Sequence, residues 1–142
     1  MTLDACLMDE LGRCGAGACL TQVKHSISVA RRVMKKMPHV LLVGEGALGL
    51  AIAEDLTKDD LLTAYARRAW EKWKRENAGV VQPQIHVENH DTMGMVALDQ
   101  DGRLSGACTA SGLAFKMAVR VGDSPIIRVA LYVDQEVGAE MA

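Results

Sequence analysis

An α/β (α+β) domain is what this sequence predicts, and three observations carry the prediction. Short apolar stretches alternate with segments of helical period through the first half. The second half holds strand-ready runs joined by a tight Asp-Gly turn. A hydrophobic content of 49% over 142 residues allows one sizeable core, so a single domain is the default.

The elements follow in order. Thr2 to Met8 and Gly15 to Gln22 flank the turn-like Glu10-Leu11-Gly12-Arg13, which predicts a hairpin. Ser26 is the expected N-cap of a helix from Ile27 to Lys36, with Ile27, Val29, Ala30 and Val33 on one face and Pro38 as its stop. His39 to Val43 reads as a short strand, and a helical stretch runs from Gly46 to Leu56. Leu61 to Glu76 predicts another helix, whose Leu62, Ala66, Ala69 or Trp70, and Trp73 are spaced for one buried face. Asn77 to Asn89 is polar and irregular and reads as the one linker. Met93 to Leu98, the turn Asp99-Gln100-Asp101-Gly102 and Leu104 to Thr109 predict an antiparallel pair, with Thr92 at the start of a central strand. Ile126 to Val133 is expected as a further apolar strand.

Charge and cysteine usage narrow the function classes. A net charge of −2 argues against nucleic-acid binding, which needs clustered excess Lys and Arg. The basic cluster from Arg67 to Arg75 is broken by Glu71 and reads as a solvated helix face. No apolar run approaches bilayer length, so no membrane role is expected, and the acidic start (Asp4, Asp9, Glu10) does not resemble a signal peptide. Compartment stays open. Cys6, Cys14, Cys19 and Cys108 lack metal or redox spacing and are expected as mostly buried free thiols. His25, His39 and His86 are isolated, and no metal site is expected.

Gly44-Glu45-Gly46-Ala47-Leu48-Gly49 follows a short strand and opens a helix, matching the G-x-G-x-x-G dinucleotide fingerprint in letters and local context. A dinucleotide unit needs a second parallel strand with an acidic residue about 20 residues on. That region here is a turn and the start of a Trp-containing helix, so the glycines are expected to serve a tight strand-to-helix turn, with no cofactor.

The chemistry concentrates later, in N-H-D-T-M-G-M from Asn89 and R-V-G-D-S-P from Arg120. A threonine hydroxyl is a poor nucleophile unless a base sits beside it, and a cut before Thr92 would supply that base as its own α-amine. Attack of Thr92 Oγ on the Asp91 carbonyl would turn the amide into an ester with the α-amine free, and hydrolysis of the ester would complete the cut. Taken alone, Thr92 is an ordinary β-branched strand residue, and Arg120 with Asp123 an ordinary loop ion pair.

The two motifs together resemble the glycosylasparaginase and isoaspartyl-peptidase/asparaginase branch of the N-terminal-nucleophile hydrolases. Thr2-Leu3-Asp4-Ala5, Ile27 to Val33, His39 to Ala47 and Leu131 to Asp134 are similar to segments of that family in the same order. The resemblance implies a partial αββα sandwich, 1–142 forming a single partial domain. Residues 1–91 would be α-subunit-like and 92–142 β-subunit-like, with autocleavage between Asp91 and Thr92. Thr92 would be the catalytic nucleophile, Arg120 would bind a substrate α-carboxylate and Asp123 its α-ammonium. The implied substrate is a small molecule, N4-glycosyl-asparagine or a related β-aspartyl amide, and a homo-oligomer of processed subunits would be family-like.

Three departures from the family pattern carry expectations of their own. Ala110 stands where the family has a hydroxyl, which is expected to loosen the positioning of Thr92. Arg128-Val129-Ala130 replaces very small residues and is expected to disturb close packing. The family's first strands and its oxyanion-hole segment are expected to be missing at the two ends. Weak or absent processing follows from that, with a non-catalytic truncated remnant or interaction fragment as the alternative function.

Overall fold

The computed structural model describes residues 1–79 and 91–142; His86, His90 and most of the predicted linker lie outside them. β1 (Leu3–Met8) and β2 (Cys14–Leu20) form an antiparallel hairpin, and β4 (Thr92–Leu98) and β5 (Leu104–Ala110) form a second. Both turns read Asp-x-x-Gly-Arg and close in the same way. Asp9 Oδ1 accepts the N–H of Leu11 and Arg13, and Asp99 Oδ1 accepts those of Asp101 and Arg103, at 2.8–3.1 Å. Gly12 and Gly102 take the left-handed conformation, φ 72° and 77°, that each turn requires.

The hairpins join through β1 and β5 into a five-stranded sheet ordered β3-β2-β1-β5-β4. β3 (Leu41–Val43) adds parallel to β2, and every other pairing in the sheet is antiparallel. Among the described residues β4 is therefore an edge strand, exposed along its whole length, and the expectation of a central strand at Thr92 is corrected. Its place beside β5 is as expected.

One face of the sheet is covered by α1 (Ser26–Lys36) and α2 (Gly44–Ala53), whose Val29, Ala47, Leu48 and Ala51 bury against Leu20 and Val23. α1 comes very close because β2 is almost all small residues. A Cβ on Gly15 would collide with the backbone of α1 at Ala30 and Met34. Gly15→Ala is therefore expected to destabilise by about 1–3 kcal/mol, read as a lower Tm; an unchanged Tm would disprove this close approach. The predicted N-cap is shifted by one residue: His25 occupies it without a side-chain bond, and Ser26 is buried in the first turn.

The other face carries Cys6, Met8, Ala16 and Cys108 against Ala130, Leu131 and Val133. Leu131 and Val133 come from a two-stranded sheet of β6 (Leu131–Asp134) and β7 (Gly138–Met141), and Ala130 from the turn just before it. The layers are helix, sheet and sheet, an α+β arrangement with mixed strand directions. All four cysteines are free, three of them buried, as expected.

Three further expectations need correction. Ile126 to Val133 is not one strand: 126–130 is a turn with Arg128 at φ 68°, and only Leu131 onward pairs regularly. Arg128 consequently leaves the packing undisturbed, its guanidinium lying 5.3 Å from the Tyr132 ring centre on the outside. α3 (Ala64–Glu76), capped by Thr63 Oγ1 accepting the Ala66 N–H, buries no residue at all. Trp73 does not enter a core; it stacks on Phe115 with centroids 5.1 Å apart. The expected strand-to-helix turn is found at Gly44, where β3 leads straight into α2; α2 is followed by α3 and not by a parallel strand, so Gly44 to Gly49 does not open a dinucleotide unit. No helix among the described residues is long and apolar enough to cross a membrane.

Candidate active site

Thr92 begins β4 on the face that meets the second sheet. Side chains alternate along a strand, and Gly94, two residues on, is packed directly by Met141 of β7. Thr92 lies opposite Ala110 of β5, and Ala110 lies opposite Asp4 of β1. Thr92, Ala110 and Asp4 thus form one row across three adjacent strands. The carbonyl oxygen of Asp91, the acceptor half of the bond that would be cut, receives the Ser111 N–H at 3.3 Å. Thr92 and Asp91 themselves are exposed.

The remaining hydroxyls near the row are already committed. Thr109 points to the helix face, where its Oγ1 donates to the Asp4 carbonyl at 3.0 Å and lies 2.9 Å from Ser26 Oγ. It cannot turn to replace the hydroxyl missing at Ala110 without breaking both contacts.

Arg120 and Asp123 sit on the loop between β5 and β6, both exposed. No ion pair joins them among the described residues, so the ordinary loop pair is not what they form. Arg120 folds over Gly122: a Cβ there would stand 3.2 Å from the guanidinium. Asp123 caps its own turn, Oδ1 accepting the Ser124 N–H at 2.9 Å and its carbonyl accepting Ile126 N–H at 2.7 Å. Ser124 and Pro125 are buried beneath it.

The loop reaches the Thr92 face through Cys108, the cross-strand partner of Gly94. Burial raises the Cys108 thiol, Ser124 against it works the other way, and Asp123 raises it again. Burial, with Cys108 adding to it, pushes Cys6 up to about 12. Both thiols are therefore protonated at neutral pH and are poor rivals to Thr92 as nucleophiles. The structure brings Thr92 and the Asp123 turn to one face of the sheet, yet it does not enclose them. An open groove of about 400 Å³ borders Asp91 on the helix face, walled by Leu3, His25, Ser26, Met93 and Ser111. Neither it nor the groove between α1 and β4 is lined by Thr92, Arg120 or Asp123.

Sequence reasoning missed a buried ion pair beside the row. Asp4 is 1% exposed, and its Oδ2 lies 3.5 Å from the Nζ of Lys116. Asp4 in the sequence is one residue of a predicted strand with nothing to mark a buried charge, and a lone lysine in a loop gives no signal of burial. The loop also carries backbone strain, with Phe115 and Val119 in the left-handed region at φ 57° and 59°. For exposed, β-branched Val119 the cost is about 1–2 kcal/mol, partly offset in a glycine variant by the freer unfolded chain. Val119→Gly is thus expected to raise Tm by a few degrees, about 1–5 °C, and a lower Tm would refute the strain.

The comparisons bear on this arrangement as a whole. The asparaginase family model matches residues 1–142. The chain is 53% identical over 142 residues to the N(4)-(β-N-acetylglucosaminyl)-L-asparaginase of Elizabethkingia miricola, covering 100% of this chain and 41% of that one. It is 32% identical over 170 residues to the rat enzyme of the same name, covering 99% of this chain and 49% of the relative. The mouse enzyme gives 32% over 171 residues with the same coverage, 99% and 49%. This chain spans less than half the length of these relatives. With the family model matching from the first residue to the last, the chain belongs to the asparaginase family.

Proposed function

We propose that this chain carries part of a self-processing threonine amidohydrolase that cleaves the side-chain amide of N4-glycosyl-asparagine or a related β-aspartyl amide. Its relatives bear the name of that activity. The observation that carries the reading is the placement of the Asp91–Thr92 bond, its carbonyl held by Ser111 N–H and Thr92 heading a strand on the face the Asp123 loop approaches.

In the precursor, Thr92 Oγ attacks the Asp91 carbonyl carbon, the C–N bond breaks, and the chain is carried as an ester. The Oγ proton goes to the departing nitrogen, which becomes the Thr92 α-amine, ordinarily of pKa about 7.7–8.0 and substantially unprotonated near neutral pH; water then hydrolyses the ester, releasing the Asp91 carboxyl group and restoring the Thr92 hydroxyl. In turnover that amine takes the Oγ proton while Oγ attacks the side-chain amide carbon of the substrate. The proton passes to the leaving amine, and water then releases aspartate from the ester. Arg120 pairs with the α-carboxylate in a bidentate fork, and Asp123 holds the α-ammonium, so an asparagine with both groups free is selected. Residues 1–91 and 92–142 become the two processed parts, in a family-like homo-oligomer.

A second reading, a non-catalytic remnant or interaction fragment, is favoured by the exposure of β4 and by Ala110 in place of a hydroxyl. The test is an assay of the cleaved form against glycosyl-asparagine, a β-aspartyl dipeptide and free asparagine, each with and without a blocked α-carboxylate. Hydrolysis is expected only when the carboxylate is free. Equal rates on blocked substrates would remove Arg120 from the site. An inactive 142-residue chain beside an active version extended to the relatives' length would favour the remnant reading.

A further inference from the structure

Among the described residues, Lys116 is a buried charged group left without a hydrogen bond. Its side chain is 9% exposed, and its Nζ has no hydrogen-bond partner, only the Asp4 carboxylate at 3.5 Å. An ammonium has three donors, and burying it without using them is costly. Burial here is built in, not incidental. Gly112 sits at φ 72°, and a Cβ there would stand 2.7 Å from Lys116 Nζ, so glycine both makes the turn and leaves room for the charge. Asp4 is held from the other side, Oδ1 accepting the Cys19 N–H at 2.7 Å where β2 bulges, with Cys19 itself at φ 54°.

Asp4 ends the row that starts at Thr92, and Lys116 lies four residues before Arg120. Phe115, next to Lys116, is clamped from outside by Trp73. The strained loop is thus fixed at one point on its way to the exposed Arg120 and Asp123, and that point is tied to the strand row carrying Thr92. A group needed only for stability would do better as an apolar side chain, since replacing a buried ion pair with hydrophobic residues is often neutral or favourable.

We propose that Lys116 is a positioning residue for substrate recognition: anchored on Asp4, it sets the loop so that Arg120 and Asp123 grip the α-amino-acid head group in register with Thr92. The inference rests on the proposed roles of Arg120 and Asp123. It adds the buried Asp4–Lys116 pair as what aligns the two halves of the site, with Ala110, which carries no hydroxyl, standing between Thr92 and Asp4 in the row.

Isothermal titration of the 142-residue chain with L-aspartate, which presents the head group alone, tests it. Lys116→Met is expected to weaken binding about tenfold or more, the scale for losing a charged group's contacts, with Lys116→Arg recovering part of the loss. The double variant Asp4→Asn/Lys116→Met removes both charges, so it is expected to fold even if the single variant leaves Asp4 stranded, and to bind as weakly. Binding by the folded Lys116→Met or double variant as tight as that of the unsubstituted chain, with Arg120→Ala weakened, would overturn the inference and leave the site reading standing. Unchanged binding in Arg120→Ala, or no binding by the unsubstituted chain, would overturn both.

Discussion

Thr92→Ala is expected to remain a single polypeptide and to hydrolyse no amide, in a version of the chain extended to the relatives' length whose unsubstituted form splits between Asp91 and Thr92. Only the hydroxyl can open the acyl shift, and without the shift no α-amine exists to act as base. The loss covers both functions at once, so the effect is total in mass spectrometry and falls to background in turnover. Thr92→Ser keeps the hydroxyl and is expected to split more slowly, because serine lacks the χ1 restriction that holds Oγ in line. In the 142-residue chain, where β4 is an exposed edge, splitting is expected to be slow or absent. Splitting that persists in Thr92→Ala would assign the cut to something other than this side chain.

Arg120→Ala is expected to lower kcat/KM on glycosyl-asparagine by about thirtyfold to several thousandfold, the equivalent of roughly 2–5 kcal/mol for truncating one partner of a bound charge pair. Processing should be untouched, because Arg120 is not placed against the Asp91–Thr92 bond. Arg120→Lys should recover only part, since a point charge cannot reproduce the bidentate fork. Steady-state rates on the processed enzyme, with the extent of splitting measured on the same sample, check both statements. A defect in splitting equal to the defect in turnover would mean that Arg120 supports the fold instead.

Much of this architecture is legible because its signals are local. The two Asp-x-x-Gly-Arg turns fix both hairpins, since an Asp side chain and a left-handed Gly are what those turns need. Thr92 at a strand start follows from the same turn. What is not local is harder to read. Strand order decides that β4 is an edge and not central, and nothing within Thr92 to Leu98 encodes its neighbours. The period of α3 is right for a buried face, but period identifies a face without supplying a partner, and α3 buries no residue while Trp73 stacks on Phe115.

Ile126 to Val133 misleads because one left-handed residue, Arg128, breaks an apolar run that otherwise looks continuous. β7 was missed for the opposite reason, Gly138 to Met141 having neither alternation nor β-branched residues. At the site, Thr92, Arg120 and Asp123 were found from motif and resemblance. The Asp4–Lys116 pair joins residues 112 positions apart, and only the folded sheet brings them together.

The most direct test of the central claim is to trap the covalent ester. The processed, extended protein is mixed with glycosyl-asparagine, quenched in acid during turnover, and its peptides are weighed. The β-aspartyl adduct is expected on the peptide that begins with Thr92, and on no other. Turnover with that peptide unmodified, or an adduct on a different residue, would contradict the assignment of Thr92 as nucleophile.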